Sequence, residues 1–138
     1  MTAKRITFTT IEEREAIFGP SSILALILAR RSDPGASEDD MTSQVNQCYK
    51  FLKAMGWTCI HEDNLYAFTD AASGMRQVAR PALDKALALA QQHRVHVIVC
   101  LDLKRLDRKK PRRYQAIQNA RDFGADFRFV CFPETRGR

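Results

Sequence analysis

A chain of 138 residues, 45% hydrophobic and 28% charged, suits one domain around a single sizeable core and excludes a disordered or fibrous chain. Its net charge of +6 points mildly toward a polyanionic partner such as nucleic acid. The longest apolar run, residues 21–29, is about half the length of a bilayer span, and the first turns of the chain lack the apolar centre of a signal peptide. No membrane partner is therefore expected, and a cytoplasmic, nucleoid-associated location follows.

Residues 1–20 read as an N-terminal extension to a domain at 21–138. Within the extension, Thr10 with Glu13 forms a capping-box pattern, and the following residues are expected to make a short helix that Gly19-Pro20 stops. "ILALILAR" at 23–30 is continuous and apolar, the pattern of a central strand covered on both faces. "RSDPGASEDD" is a loop marked by Pro34-Gly35. A helix is predicted over 41–56, with Val45, Cys48, Leu52 and Met55 as its inner stripe, Asp40 or Thr42 as its cap and Gly56 as its end.

"WTCIHED" at 57–63 is the second expected strand, with Trp57 in the core. Residues 65–80 have no clean period and are read as a long loop, partly mobile. Pro81 opens a helix with Leu83, Ala86, Leu87 and Ala90 on one face. "VHVIVCLD" at 95–102 is a third strand. "PRRYQAIQNARDFG" is a helix with Tyr114, Ile117, Ala120 and Phe123 turned inward, and "FRFVCF" at 127–132 is a fourth strand. Strands alternating with helices at these lengths imply an α/β fold, with a mainly parallel central sheet of four or five strands and helices on both faces.

The four cysteines, Cys48, Cys59, Cys100 and Cys131, contain no C-x-x-C pair and lie in apolar stretches. Buried reduced thiols are expected rather than disulfides or zinc ligands. His93 and His96 lack a carboxylate or cysteine at ligand spacing, so no metal is expected there.

Ligands of such sheets gather beyond the carboxyl ends of the strands. The polar segments leaving those ends, residues 31–40, 64–80 and 103–110, should share one crevice. Ser32 has no G-x-S-x-G elbow and no evident histidine base, so a hydrolase triad fits poorly. Its expected neighbours are arginines: Arg30 beside it, Arg80 before Pro81, and Arg105 and Arg108 after the third strand. Guanidinium groups hold phosphate oxygens bidentately and stabilise charge developing on phosphorus. "LKRLDRKKPRR" at 103–113 adds Lys104, Lys109, Lys110, Arg112 and Arg113, a solvated or DNA-facing basic surface.

On these residues the chain resembles the serine recombinases, the resolvase and invertase family, and is placed with their large members. The resemblance spans about residues 23–138. The family's Y-A-R-x-S appears as "LARRS", keeping Arg30 and Ser32 with Leu28 in the tyrosine slot. A glutamine early in the first helix is matched by Gln44. D-x-x-S-G leading to D-R-P-x-L appears as "TDAASG", with Asp70 and Ser73, and as "ARPAL", with Arg80. L-D-R-L-S-R appears as "LKRLDR", with Arg105 and Arg108. Two of the family's aspartates are also replaced: Lys104 and Ala79 stand where it usually carries them, so the first carboxylate's role would fall to Asp102, Asp107 or Asp70.

The resemblance implies a resolvase-like three-layer fold and DNA cleavage by Ser32 Oγ through a 5′-phosphoserine intermediate, needing neither metal nor cofactor. It implies Arg30, Arg105 and Arg108 as phosphate clamps, with Arg80, Gln44, Asp70 and Ser73 in support, double-stranded DNA as partner and a homodimer or tetramer for the full-length form. Two alternatives stay open. One is a degenerate domain that binds DNA or partner subunits without cleaving, which Lys104 and Ala79 motivate. The other is a metal-dependent nuclease using Asp63, Asp70 and Asp102. The chain stops where the family continues into a long dimerisation helix, so an isolated catalytic domain is expected, binding DNA weakly and not recombining alone.

Overall fold

The computed structural model describes residues 10–31, 38–60, 66–69, 81–106 and 110–131. For residues 30–31, 38–41, 66–69, 81–82 and 104–105 only the backbone is described. The elements are α1 (Ile11–Phe18), β1 (Leu24–Arg31), α2 (Glu38–Met55), β2 (Thr58–Cys59), β3 (Tyr66–Thr69), α3 (Pro81–Gln92), β4 (Val97–Cys100), α4 (Leu103–Leu106), α5 (Lys110–Asp122) and β5 (Asp126–Phe129). Among the described residues, no helix is long and apolar enough to cross a membrane.

The strands run β2–β1–β4–β5, with β3 paired to the downstream half of β1, and every pair is parallel. Strand alternation divides the core in two. Ala25 and Ile27 of β1, with Val97 and Val99 of β4, face a layer built by Cys48 and Leu52 of α2, Ile11 of α1 and Trp57. Leu26 and Leu28, with Ile98, Cys100, Phe127 and Phe129, face α3, α4 and α5 through Leu83, Ala86, Ala90, Leu106, Ala116 and Ala120. A strand covered on both sides must be apolar at successive positions, which is why residues 24–29 show no polar alternation.

Several expectations change. The segment read as an uninterrupted loop at 65–80 contains β3: Tyr66–Thr69 pairs in register with Leu28–Arg31. Four residues between polar stretches give too few repeats for a period to show, and the partner strand supplies the order. Helix α2 begins at Glu38, so Asp40 and Thr42 lie inside it rather than capping it. Its buried line is Gln44, Cys48 and Leu52, while Met55 is 41% exposed.

On α5 the predicted inner face is also displaced. Tyr114 is 70% exposed, and Ala116 and Ala120 carry the buried line with Ile117 and Phe123 half-buried. At about 100° per residue, the nine steps from Tyr114 to Phe123 turn half a circle, so the two cannot share one face. The strand exit at 103–106 winds into α4, a single turn that sends Leu106 into the core. Cys48, Cys59 and Cys100 are buried as expected, but Cys131 is exposed because it lies past the end of β5.

Helix α1 docks on the domain. Thr10 and Glu13 close the capping box, with Glu13 N–H donating to Thr10 Oγ1 at 3.0 Å and Thr10 N–H to Glu13 Oε1 at 3.2 Å. Trp57 Nε1 donates to Glu15, and Arg128 spans Glu12 at 3.1 Å and Asp126 at 2.7 Å. Gly56, at φ +81°, ends α2 against Pro20, where a Cβ would stand 3.2 Å from the proline ring.

His96 ties the start of the sheet together. Its N–H donates to Leu24 O at 2.9 Å, its Nδ1 accepts from Leu24 N–H at 3.0 Å, and its carbonyl accepts from Asp126 N–H at 3.0 Å. Burial, and then the Arg14 charge, push its pKa below the ordinary 6.5. Because the folded value is depressed, the neutral ring's contribution is complete above the unfolded value. It is lost as pH falls from there through the folded value. The urea midpoint should therefore drop between pH 7 and 5, and His96→Asn, which keeps an acceptor but cannot titrate, should show a smaller drop.

Candidate nucleic-acid cleavage site

From β1 the chain passes through α2 to β2, on one side of β1, and returns later to place β4 on the other. The reversal makes the space beyond the carboxyl ends of β1 and β4 a topological switch point, where open parallel sheets bind ligands. The register pairs Ala25 with Val97, Leu26 with Ile98 and Ile27 with Val99. Continued three residues, it sets the backbone of Arg30 level with Asp102, at the start of α4. Arg105 belongs to α4, which packs against both β1 and β4. The segments carrying Arg30 and Arg105, separate in sequence, are thus neighbours at one sheet edge.

By strand parity, position 30 belongs to the side of Leu26 and Leu28, the layer that contains Leu106 of α4. On the other side of the sheet stands Gln44. It is fully buried, the one buried polar side chain among the described residues, and it lies one turn along α2 from Cys48. It is not a solvated first-turn residue. A buried amide without hydrogen bonds would cost a few kcal/mol, about 2 or more, and Gln44 is not without a partner.

The remaining expected site residues divide plainly. Ser32, Asp70, Ser73, Arg80, Arg108 and Lys109 lie outside the described residues, as do Asp63, Ala79 and Asp107. Arg30, Lys104 and Arg105 are placed by backbone alone. Lys110 is exposed at the start of α5, and Arg112 and Arg113 are half-buried in its first turn. Since α5 runs from the α4 side back to the start of β5, that first turn sits on the same edge as the crevice.

Sequence reasoning missed a small thiol cluster at this edge. Cys131 N–H donates to Leu101 O at 2.8 Å, beside Asp102, and Cys48 packs in the same layer as Leu101. Burial, then Cys131, then Asp102, push the Cys48 thiol up to about 12. No group of three or more His, Cys, Asp or Glu residues suited to a metal ion occurs among the described residues. The long-range backbone bond at Leu101 was not visible from spacing alone.

The parallel α/β domain thus brings the Arg30 and Arg105 segments together at its switch point. The chain belongs to the resolvase family of serine recombinases: the Resolvase, N terminal domain model matches residues 25–137. Among solved structures, it is similar to the C-terminal catalytic domain of ISC1926 TnpA, an IS607-like serine recombinase. That similarity has a TM-score of 0.64 and 23% identity over 81% of this chain and 73% of the other. It is also similar to the N-terminal catalytic domain of TP901-1 integrase, with a TM-score of 0.59 and 22% identity over 78% and 76% of the two chains. At such identities the two structures attest the fold. No curated protein matches the chain. Helix α1 lies before the matched residues.

Two outcomes follow from the geometry. At pH 8 a disulfide reagent should modify Cys131 in the native protein and reach Cys48, Cys59 and Cys100 only on unfolding, as a time course of thiol release would record. Gln44→Leu, which removes the amide but fills its volume, should lower stability by about 1–3 kcal/mol in urea unfolding by removing the hydrogen bonding of a fully buried amide and leaving its partner unpaired.

Proposed function

We propose that this chain is a recombinase catalytic domain, residues 21–138, that cleaves and rejoins duplex DNA with Ser32 as nucleophile. The supporting observation is the adjacency of the Arg30 and Arg105 segments at the β1–β4 switch point in a member of the resolvase family. In the forward step Ser32 Oγ attacks the phosphorus in line. An Oγ–P bond forms and the P–O3′ bond breaks. The serine proton passes to the surrounding network or to water, and the departing 3′ oxygen gains a proton.

The phosphodiester energy is kept in the phosphoserine link, so a 3′-hydroxyl can reverse the step without ATP. Arg30, Arg105 and Arg108 hold the nonbridging oxygens and stabilise the charge that grows on them. Arg80 positions the phosphate, while Asp70 and Ser73 orient the arginines. Gln44, buried in the amino-terminal half of α2, braces the crevice from the opposite side. Lys104, Lys109, Lys110, Arg112 and Arg113 neutralise the DNA backbone, a sequence-independent and salt-sensitive contribution. A homodimer or tetramer of the full-length form would bring two such sites to two DNA strands.

The test is protein-linked DNA recovered after denaturation from a randomised duplex library, with chelator present. Wild type should give an adduct at a phosphoserine, Ser32→Ala none, and Arg105→Gln roughly a hundredfold less. Cleavage that survives Ser32→Ala but requires Mg²⁺ would sink the proposal in favour of a metal-dependent nuclease. DNA binding with no adduct would favour the non-cleaving form, for which Lys104 and Ala79 would then be the cause.

A further inference from the structure

Tyr114 is the least expected surface residue of the domain. An aromatic side chain of its size is ordinarily at least half covered, yet it stands 70% exposed on α5. It makes no hydrogen bond or ring contact among the described residues. Lys110, one turn earlier on the same face, is likewise exposed and makes no ion pair among the described residues. Their neighbours differ. Gln115 is bonded to Asn119, Gln118 to Asp122 and Arg121 to Asp126, while Arg112 and Arg113 are half-buried and already have partners. The first two turns of α5 therefore leave one cation and one phenol hydroxyl unspent, side by side, at the crevice edge.

We infer that Lys110 and Tyr114 form a second contact to the DNA backbone, outside the crevice, on which the duplex flanking the cleaved phosphate rests. The inference builds on the function proposed above. Charge complementarity selects the partner. Lys110, Arg112 and Arg113 occupy the first turn of α5 with no carboxylate among them, and the helix N-terminus adds its own partial positive charge. A phenol hydroxyl beside a lysine matches two successive phosphates, one neutralised by the ammonium and one hydrogen-bonded by the hydroxyl. The contact carries no sequence information. It fixes the angle at which the duplex crosses the sheet edge and makes Tyr114 a positioning residue rather than a catalytic one.

The two residues act through different physics, which makes them separable. Binding of a labelled random-sequence duplex, measured by anisotropy across a salt series, provides the reading. Lys110→Gln should lower the slope of log affinity against log salt by about one, because one fewer counterion is released. Tyr114→Phe should weaken binding about three- to tenfold at each salt concentration and leave that slope unchanged, because only an uncharged hydrogen bond is lost. Lys53→Gln, which removes a cation at the far end of α2, should change neither the affinity nor the slope beyond a small uniform shift.

Equal effects of Lys53→Gln and Lys110→Gln would overturn the inference in favour of diffuse charge. So would wild-type affinity in Tyr114→Phe, or a Tyr114→Ser variant that binds DNA normally but loses self-association on gel filtration. The two proposals fail separately. Adduct formation with binding indifferent to Tyr114 removes this contact alone, whereas Tyr114-dependent binding with no adduct removes the cleavage reading and leaves the contact standing. Thermal melting of each variant checks that the fold is kept, as the exposure of both side chains requires.

Discussion

Everything in this domain hangs on β1. Its residues from Ala25 to Ala29 are all buried, and it takes hydrogen-bonded neighbours along both halves of its length. Strand polar groups taken out of water must be paired, and an interior strand meets that demand only if its neighbours keep their register. A one-residue slip would exchange Ala25 and Ile27 with Leu26 and Leu28 between two cores of different shape. That constraint specifies where β1 ends. It consequently sets the backbone of Arg30 level with the start of α4, so a packing requirement fixes which segments meet at the carboxyl ends of β1 and β4.

The two ends of the sheet are treated differently. At the amino end, polar groups are spent on one another. His96 joins β1, β4 and β5, Arg128 bridges Asp126 to Glu12, and Trp57 binds Glu15. The contacts to Glu12 and Glu15 fasten α1, which precedes the residues matched to the family, onto the domain. At the carboxyl end, cations collect without an equal number of carboxylates in the described segments. Such an arrangement suits a partner that brings its own negative charge.

The same contrast explains Gln44 and the buried thiols. Gln44 continues the buried line of Cys48 and Leu52 toward the start of α2, so the apolar stripe of that helix turns polar at its amino-terminal half. Cys48, one turn further along α2, is held as a neutral thiol and behaves as a small apolar residue. Gln44 and Cys48 are both fully buried on successive turns of one helix face, so their difference lies in side-chain chemistry and not in depth.

Local pattern sufficed for elements with enough residues to display a period. β1, α1 and α3 begin and end within a residue or two of where apolar spacing, the capping box, Pro81 and Gly19-Pro20 put them. The family was legible too, because its motifs are short and tied to strand ends. What the sequence could not determine were features that need a partner from elsewhere in the chain. β3 exists because β1 offers it hydrogen bonds, and Cys131 is exposed because β5 stops at Phe129. Gln44 is buried because it shares the face of α2 that packs on the sheet with Cys48 and Leu52. Tyr114 faces outward because Ala116 and Ala120 let α5 approach closely and claim the inner face. In each case the residue's own chemistry permits either state, and only the tertiary arrangement, by deciding which surface lies next to it, selects one.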